Sequence, residues 1–174
     1  MNNTVYFAHG QETGPWGTKI RYLAEIARRR GFHVESPDYA DIPDPDARVR
    51  RLLELATRDP ATENKGNLVL VGSSAGGYVS AVASESLNPD GLFLMAPAVF
   101  LSGFGARNPQ PRAAHRWVVH GWNDETVPAQ GVMHFARQHK MQLHMLDDEH
   151  RLAEALPTVG ALFELFLEPL TAIA

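Results

Sequence analysis

A serine flanked by two glycines, at the point where an apolar run ends, is the feature of this sequence that could do chemistry. Residues 69–71 are apolar, Gly72, Ser74 and Gly76 follow, and residues 78–87 are compatible with a helix. A strand, a sharp turn and a helix with G-x-S-x-G spacing are typical of a nucleophile elbow, which holds the serine hydroxyl at a strained bend above a sheet. A glycine-rich turn, or an anion-binding loop at a helix N-terminus, would explain the same residues. The elbow interpretation therefore requires a base, an acid and an oxyanion site elsewhere in the chain.

His150 is the best candidate for the base, because a serine hydroxyl is a poor nucleophile without one. It follows the acidic residues 147–149, in a loop between the last predicted strand and the last predicted helix. Among the other histidines, His120 at a strand end stays ambiguous, and His115 in a long loop could contact substrate. Four more fall inside predicted elements, where a packed or solvated side chain is expected: His33, His134, His139 and His144.

Asp124 is the candidate acid, and it lies between the fifth predicted strand and the helix that follows. A buried carboxylate there would hold the imidazole of His150 in one tautomer and stabilise the imidazolium when it forms. Two alternatives stay open, since Asp124 could cap the coming helix and Glu125 is a rival acid. Asp147 and Asp148 are so close to His150 in sequence that we interpret them as loop-forming residues.

Two backbone N–H groups are expected to stabilise the developing oxyanion. One belongs to Ala75, at the N-terminus of the helix after the elbow. The other belongs to Gln11, which follows His9 and Gly10 in the loop after the first strand. His9 is expected to brace this loop, and the sequence leaves a role for the Gln11 side chain open.

Strands and helices alternate along the chain. Apolar runs predict strands over residues 4–8, 32–35, 67–71, 91–95, 116–120 and 142–146. Helical spacing of apolar residues predicts helices over 19–30, 46–58, 78–87, 129–140 and 152–167, with a kink or a late start at Pro157. The alternation predicts an α/β fold, a three-layer α/β/α sandwich around a mainly parallel six-stranded sheet. Chemistry in such sheets lies at the carboxyl ends of the strands, so we expect His9, Ser74, Asp124 and His150 to converge on one edge.

Composition excludes several classes of protein. The 174 residues suit one domain over residues 1–174, and 44% hydrophobic with 21% charged residues is typical of a globular protein. The net charge is −4 and no basic run exceeds residues 28–30, so no nucleic-acid partner is expected. Because cysteine is absent, a metal site would need histidine and carboxylates alone, and no metal or cofactor is expected. We expect no signal peptide and no membrane span, and hence a cytoplasmic location.

Taken together, these residues resemble the α/β-hydrolase family. The resemblance covers nearly the whole chain and rests on His9-Gly10, the pentapeptide 72–76, the stretch 120–128 and His150, in the family's order of serine, acid and histidine. It implies the following roles: Ser74 as nucleophile, His150 as base, Asp124 as orienting acid, and the N–H groups of Gln11 and Ala75 as the oxyanion hole.

The chain also departs from the family pattern. The multi-glycine oxyanion motif of many lipases is absent, the family's first two strands are missing, and only residues 97–115 stand where larger members insert a helical cap. This resembles the compact, capless esterases, with a minimal α/β-hydrolase fold and an open site that disfavours long acyl chains. Four aromatic residues are candidates for a small apolar substrate pocket, or for part of the core: Trp16, Phe100, Phe104 and Trp122.

The expected function is that of a serine hydrolase, which cleaves small carboxylic esters or thioesters through an acyl-enzyme. One alternative is a non-catalytic α/β module that binds an anion or another ligand at the elbow. Another is an acyltransferase or a peptidase with the same triad. The expected partner is a small-molecule ester, while the natural substrate and the oligomeric state stay open, with a homo-oligomer among the options.

Overall fold

The computed structural model describes residues 2–58 and 66–171. Its strands are β1 (Thr4–Ala8), β2 (His33–Glu35), β3 (Leu68–Ser73), β4 (Gly91–Met95), β5 (His115–Gly121) and β6 (Gln142–Leu146). Its helices are α1 (Thr18–Arg29), α2 (Pro45–Arg58), α3 (Ala75–Leu87), α4 (Ala129–Gln138) and α5 (Leu156–Thr171). The predicted alternation of strands and helices is confirmed.

The strands form one six-stranded sheet in the order β2-β1-β3-β4-β5-β6, and each of these pairings is parallel. The chain moves from β1 outwards to β2 and then crosses back to β3 on the other side of β1. The direction of winding therefore changes between β1 and β3, whose carboxyl ends flank a crevice of the kind in which open α/β sheets bind ligands. The predicted fold class is confirmed.

Helices cover both faces of the sheet. On one face, α1 and α5 pack on alternate strand residues such as Val69, Val71 and Phe93. On the other face, α2, α3 and α4 cover the intervening residues, such as Leu70 and Leu92. Side chains of a strand point alternately to opposite faces, so β3 must be apolar throughout to fill two cores.

Both ends of α5 differ from the sequence prediction. Helix α5 begins at Leu156 rather than four residues earlier, so the late start expected at Pro157 is confirmed. The helix also continues past Pro169 to Thr171, where the prediction ended it at residue 167. The side chain of Leu170 is buried against Gly91 at the start of β4, so close that a Cβ on this glycine would lie 2.7 Å from the leucine Cδ1. This packing explains the extra turn.

Within the described ranges, no helix is both long and apolar enough to cross a membrane.

Candidate active site

Ser74 occupies a sharp turn between β3 and α3. Its φ of 55° and ψ of −119° are strained for a residue with a side chain. Its N–H donates to the carbonyl of Met95 at 3.0 Å, which ties the turn to β4. A Cβ on Gly76 would lie 1.9 Å from the Ala8 carbonyl oxygen, and one on Gly72 would lie 2.2 Å from the Gly76 carbonyl oxygen. The two glycines of the motif are therefore required by close backbone contacts around the serine.

His150 lies in the loop between β6 and α5 and reaches back to this turn. Its Nε2 is 2.9 Å from the hydroxyl oxygen of Ser74, and its Nδ1 is 2.7 Å from Oδ2 of Asp124. A carboxylate oxygen only accepts, so Nδ1 carries the proton and Nε2 is left to accept one from the serine hydroxyl. Three side chains from separate crossovers thus form one chain of hydrogen bonds.

The loop that carries His150 is closed by a buried carboxylate. Asp148 accepts hydrogen bonds from the N–H groups of Glu149 at 2.7 Å and Ala155 at 2.8 Å. The interpretation of this acid as a loop-forming residue is confirmed. From α1, Lys19 Nζ donates to the carbonyl of Arg151 at 2.9 Å. Burial lowers the pKa of Lys19 to about 8, an effect that Asp148 and Asp124 partly oppose.

Asp124 is held by backbone groups of its own loop. Its Oδ1 accepts hydrogen bonds from the N–H groups of Thr126 at 2.8 Å and Val127 at 2.7 Å, and its side chain is fully buried. Helix α4 begins later, with Pro128 as its N-cap, and that cap has no side-chain hydrogen bond. Asp124 is therefore not the cap of this helix. The rival acid Glu125 is exposed to solvent.

His120 lies behind the acid, where the sequence left its role ambiguous. Its Nε2 donates to the carbonyl of Val127 at 3.0 Å and is 3.6 Å from Oδ2 of Asp124. Burial lowers the pKa of His120, against the opposing charge of Asp124, so the ring is neutral with a bare Nδ1. Among the described residues, that buried Nδ1 has no hydrogen-bond partner. The sequence places His120 at a strand end, four residues before Asp124, but the contact between the two side chains is seen only in the fold.

The two predicted oxyanion donors belong to segments that adjoin Ser74. Ala75 is the first residue of α3, where N–H groups have no partner within the helix. Gln11 is exposed and follows Gly10, and a Cβ on Gly10 would contact the Cβ of Ser74 at 3.5 Å. The loop after β1 therefore lies directly against the elbow, as expected for the second donor.

His9 holds the loop in this place. Its Nε2 accepts a hydrogen bond from the Tyr39 N–H at 2.9 Å, so its Nδ1 carries the proton and donates to the Gly10 carbonyl at 2.6 Å. Burial is the main cause that lowers the pKa of His9, which keeps the ring neutral. The expected bracing role is confirmed by these contacts.

Comparison with known proteins identifies the family. The profile of the alpha/beta hydrolase family matches residues 5–173. The chain belongs to the alpha/beta hydrolase family. A search of curated proteins found no significant match.

Solved structures agree with this family membership. A protein of the alpha/beta hydrolase superfamily from Xanthomonas campestris pv. campestris is 34% identical, with a TM-score of 0.85 over 97% of this chain and 99% of that chain. A lidless serine hydrolase from Xanthomonas campestris is 22% identical, with a TM-score of 0.78 over 99% of this chain and 84% of that chain. An esterase from Pyrococcus furiosus is 16% identical, with a TM-score of 0.81 over 98% and 84%. The latter two likenesses show the fold alone.

In this family member, the segment between β4 and β5 contains no described helix or strand. The hydroxyl of Tyr78, on α3, donates to Asp46 Oδ1 at 2.5 Å and accepts from the Ala106 N–H at 3.0 Å. The Arg112 N–H donates to the Ser84 hydroxyl at 3.0 Å. These contacts fasten the segment along α3, so it does not form a helical cap over the serine.

The candidate substrate-pocket aromatics fall into two pairs. Phe100 and Phe104 are half-buried. The ring of Phe104 lies 4.8 Å from that of Tyr78 in the core, and the ring of Phe100 contacts Phe135 of the core and the exposed His134. Trp16 and Trp122 are 38% and 53% exposed. The structure thus gives the two phenylalanines a packing role and leaves surface of both tryptophans accessible.

Within the part of the chain that the structure describes, no three histidine or acidic side chains are grouped so that they could hold a metal ion.

Proposed function

We propose that this chain is a serine hydrolase that cleaves small carboxylic esters or thioesters through an acyl-enzyme. The observation that carries the proposal is the continuous path from Ser74 Oγ to His150 Nε2 at 2.9 Å, and from His150 Nδ1 to Asp124 Oδ2 at 2.7 Å. A hydroxyl, an imidazole and a buried carboxylate in this order are the groups that activate a serine for acyl transfer. Membership of a hydrolase family supports the same reaction class.

In the proposed reaction, the Ser74 oxygen attacks the carbonyl carbon of the ester while its proton moves to Nε2 of His150. The N–H groups of Gln11 and Ala75 stabilise the negative oxygen of the tetrahedral intermediate. The intermediate collapses when the alcohol or thiol leaves with the proton from Nε2. Water then attacks the acyl-enzyme by the same route, which releases the acid and restores the serine.

Asp124 has an electrostatic role in this reaction. Its carboxylate fixes the tautomer in which Nδ1 is protonated, and it stabilises the imidazolium that forms when His150 takes the serine proton. Because Oδ1 is held by two backbone N–H groups, the carboxylate can keep its orientation during both half-reactions.

A pair of adjacent serines offers a matched test of the nucleophile. Ser74→Ala removes the proposed nucleophile, whereas Ser73→Ala removes a neighbouring hydroxyl at the end of β3. With p-nitrophenyl acetate, we expect no detectable turnover by the first variant and near wild-type turnover by the second. Full activity of Ser74→Ala would contradict the proposal. An inactive but folded wild-type protein that is stabilised by anions would instead support an anion-binding module.

The proposed substrate has a short acyl chain. The segment between β4 and β5 is fastened to α3 and leaves the serine without a helical cap, so a long chain would lie largely in solvent. Burial of each CH₂ group is worth about 0.8 kcal/mol, and an open site cannot gain this stabilisation for every added group. We expect kcat/KM to fall from acetate to octanoate esters, and a rise with chain length would contradict the open site. Trp16 and Trp122 are the proposed walls for the short acyl or alkyl group.

A further inference from the structure

Arg48, in the first turns of α2, is a buried cation beside the loop that carries Gln11. Its relative exposure is 2%. Within residues 2–58 and 66–171, no carboxylate oxygen lies within 4.0 Å of its guanidinium nitrogens, although buried charges in proteins are normally paired. It donates instead to three carbonyl oxygens, through Nε to Ile42 at 2.6 Å and through Nη1 to His9 at 3.5 Å and Gly10 at 3.4 Å. Its guanidinium carbon also lies 5.8 Å from the centre of the Tyr39 ring, so the buried charge is met by carbonyl oxygens and an aromatic ring.

The contact with Gly10 controls the direction of the next N–H group. The peptide unit between Gly10 and Gln11 is planar and trans, so its C=O and N–H point in opposite directions. The carbonyl oxygen receives two donors, Nδ1 of His9 at 2.6 Å and Nη1 of Arg48 at 3.4 Å. Fixing this oxygen therefore also fixes the direction of the Gln11 N–H, in a loop whose Gly10 lies against Ser74.

The charge of Arg48 adds to this geometric effect. A cation bound to a carbonyl oxygen polarises the peptide unit, and hydrogen bonds in such a chain strengthen one another. The N–H at the far end of the unit becomes a better donor to a negative oxygen. Within the described ranges, no carboxylate pairs with the guanidinium, so the field of its positive charge favours the negative charge that develops at the oxyanion.

We propose that Arg48 is a positioning residue of the oxyanion hole, which holds the Gly10–Gln11 peptide unit so that the Gln11 N–H stabilises the oxyanion. This inference rests on the proposed function. Arg48 does not touch the reacting atoms, so we do not count it as a catalytic residue. Its effect should be seen in the transition state and not in the binding of the substrate.

The test replaces Arg48 and an exposed arginine of the same helix. Arg48→Met removes the charge and the donors but keeps much of the aliphatic volume, and Arg48→Lys keeps the charge without the planar fork. Arg51→Met is the matched control, since the side chain of Arg51 is 50% exposed. Loss of one direct oxyanion donor costs about 10²–10³ in rate, and Arg48 acts one peptide unit away, so we expect kcat of Arg48→Met to fall about tenfold.

Three readouts separate positioning from stability. Titration of active sites by the burst of p-nitrophenol gives kcat per competent site, KM reports ground-state binding, and thermal unfolding reports the fold. We expect lower kcat with KM within about twofold for Arg48→Met, an intermediate kcat for Arg48→Lys, and no change for Arg51→Met. Phenylboronic acid forms a tetrahedral adduct on a serine, and its affinity should weaken by the same factor as kcat/KM.

Other results would overturn the inference. A folded Arg48→Met or Arg48→Lys variant with wild-type kcat per active site and wild-type boronate affinity would exclude the positioning role. Failure of both variants to fold would assign Arg48 to the stability of the protein alone. In either case, turnover that depends on Ser74 would leave the proposed function intact. A wild-type protein that neither hydrolyses esters nor binds the boronate would overturn the proposed function and this inference together.

Discussion

Replacement of Gly76 by alanine tests the contact between the elbow and the end of β1. The new Cβ would lie 1.9 Å from the carbonyl oxygen of Ala8 and 2.8 Å from that of His9. An ordinary contact is at least 3.4 Å, so the end of β1 would have to retreat by about 1.5 Å. Both obstructing atoms belong to the backbone, and β1 is paired with β3 along its whole length, so no side-chain rotation relieves the contact.

The expected effects are a loss of stability and a larger loss of activity. Overpacking typically costs about 1–3 kcal/mol, and a backbone obstruction belongs at the upper end, which in a chain of this size lowers Tm by about 6–12 °C. The retreat would also carry the oxyanion loop away from the serine. Because a displacement of about 1 Å at a reacting centre costs about 10²-fold, kcat/KM should fall by a factor of that order.

Gly14→Ala is the matched control for this experiment. Gly14 lies in the loop between β1 and α1 that also carries Gln11, and no atom of the described residues lies within 4 Å of a Cβ placed on it. Thermal unfolding and the hydrolysis of p-nitrophenyl acetate should show near wild-type behaviour for this variant. If Gly76→Ala matched Gly14→Ala in both assays, the contact between the elbow and β1 would not have the importance assigned to it.

Three further changes test other parts of the site. Asp124→Asn should lower kcat by about 10³–10⁴-fold with little change in KM, because the amide favours the wrong imidazole tautomer. Steady-state kinetics would measure the loss of kcat, and circular dichroism would check the fold. A loss of kcat below tenfold would contradict the role of Asp124. Burial lowers the pKa values of His9 and His120, so the stability that their neutral forms provide is complete above the unfolded-state pKa of about 6.5 and is lost as the pH falls below it. Tm measured from pH 7.5 to 5.0 should therefore fall, less steeply for His120→Gln, and a flat profile would refute the neutral assignment. Tyr78→Phe removes the hydroxyl that joins Asp46 to the N–H of Ala106. It should lower the free energy of unfolding, measured in urea, by about 1–2 kcal/mol and leave kcat unchanged. An unchanged free energy of unfolding would show that these two hydrogen bonds do not stabilise the protein.

The sequence predicted the bounds of strands best where turn-forming residues mark their ends. The bounds of β1, β4 and β6 agree with the prediction because apolar runs stop at turn-forming residues. Helix α3 was placed three residues too late, since Gly76 and Gly77 were interpreted as part of the turn. Both are helical, and a Cβ on either would collide with the backbone of Ala8 or Pro97. The G-x-S-x-G pattern accounts for Gly76, but no local pattern marks Gly77.

The residues of the candidate site that come just after strands could be predicted from the sequence. Ser74, Asp124 and His150 each come shortly after a strand, and parallel strands bring such positions to one edge. Arg48 gave no comparable signal, and His120, although it lies at a strand end, gave no sign of its contact with the acid. Arg48 has ordinary spacing on a helix, and its burial depends on the loop that covers it, while His120 acquires its contact with the acid only when the chain turns after β5.

Covalent labelling of the serine measures the central claim most directly. A fluorophosphonate reacts with a serine activated by a base, and mass spectrometry of the digested protein locates the adduct. We predict one adduct per chain, on the peptide that contains Ser74, with loss of labelling in Ser74→Ala and strong slowing in His150→Ala. No adduct on the folded wild-type protein, or equal labelling of the His150→Ala variant, would contradict an activated serine at this site.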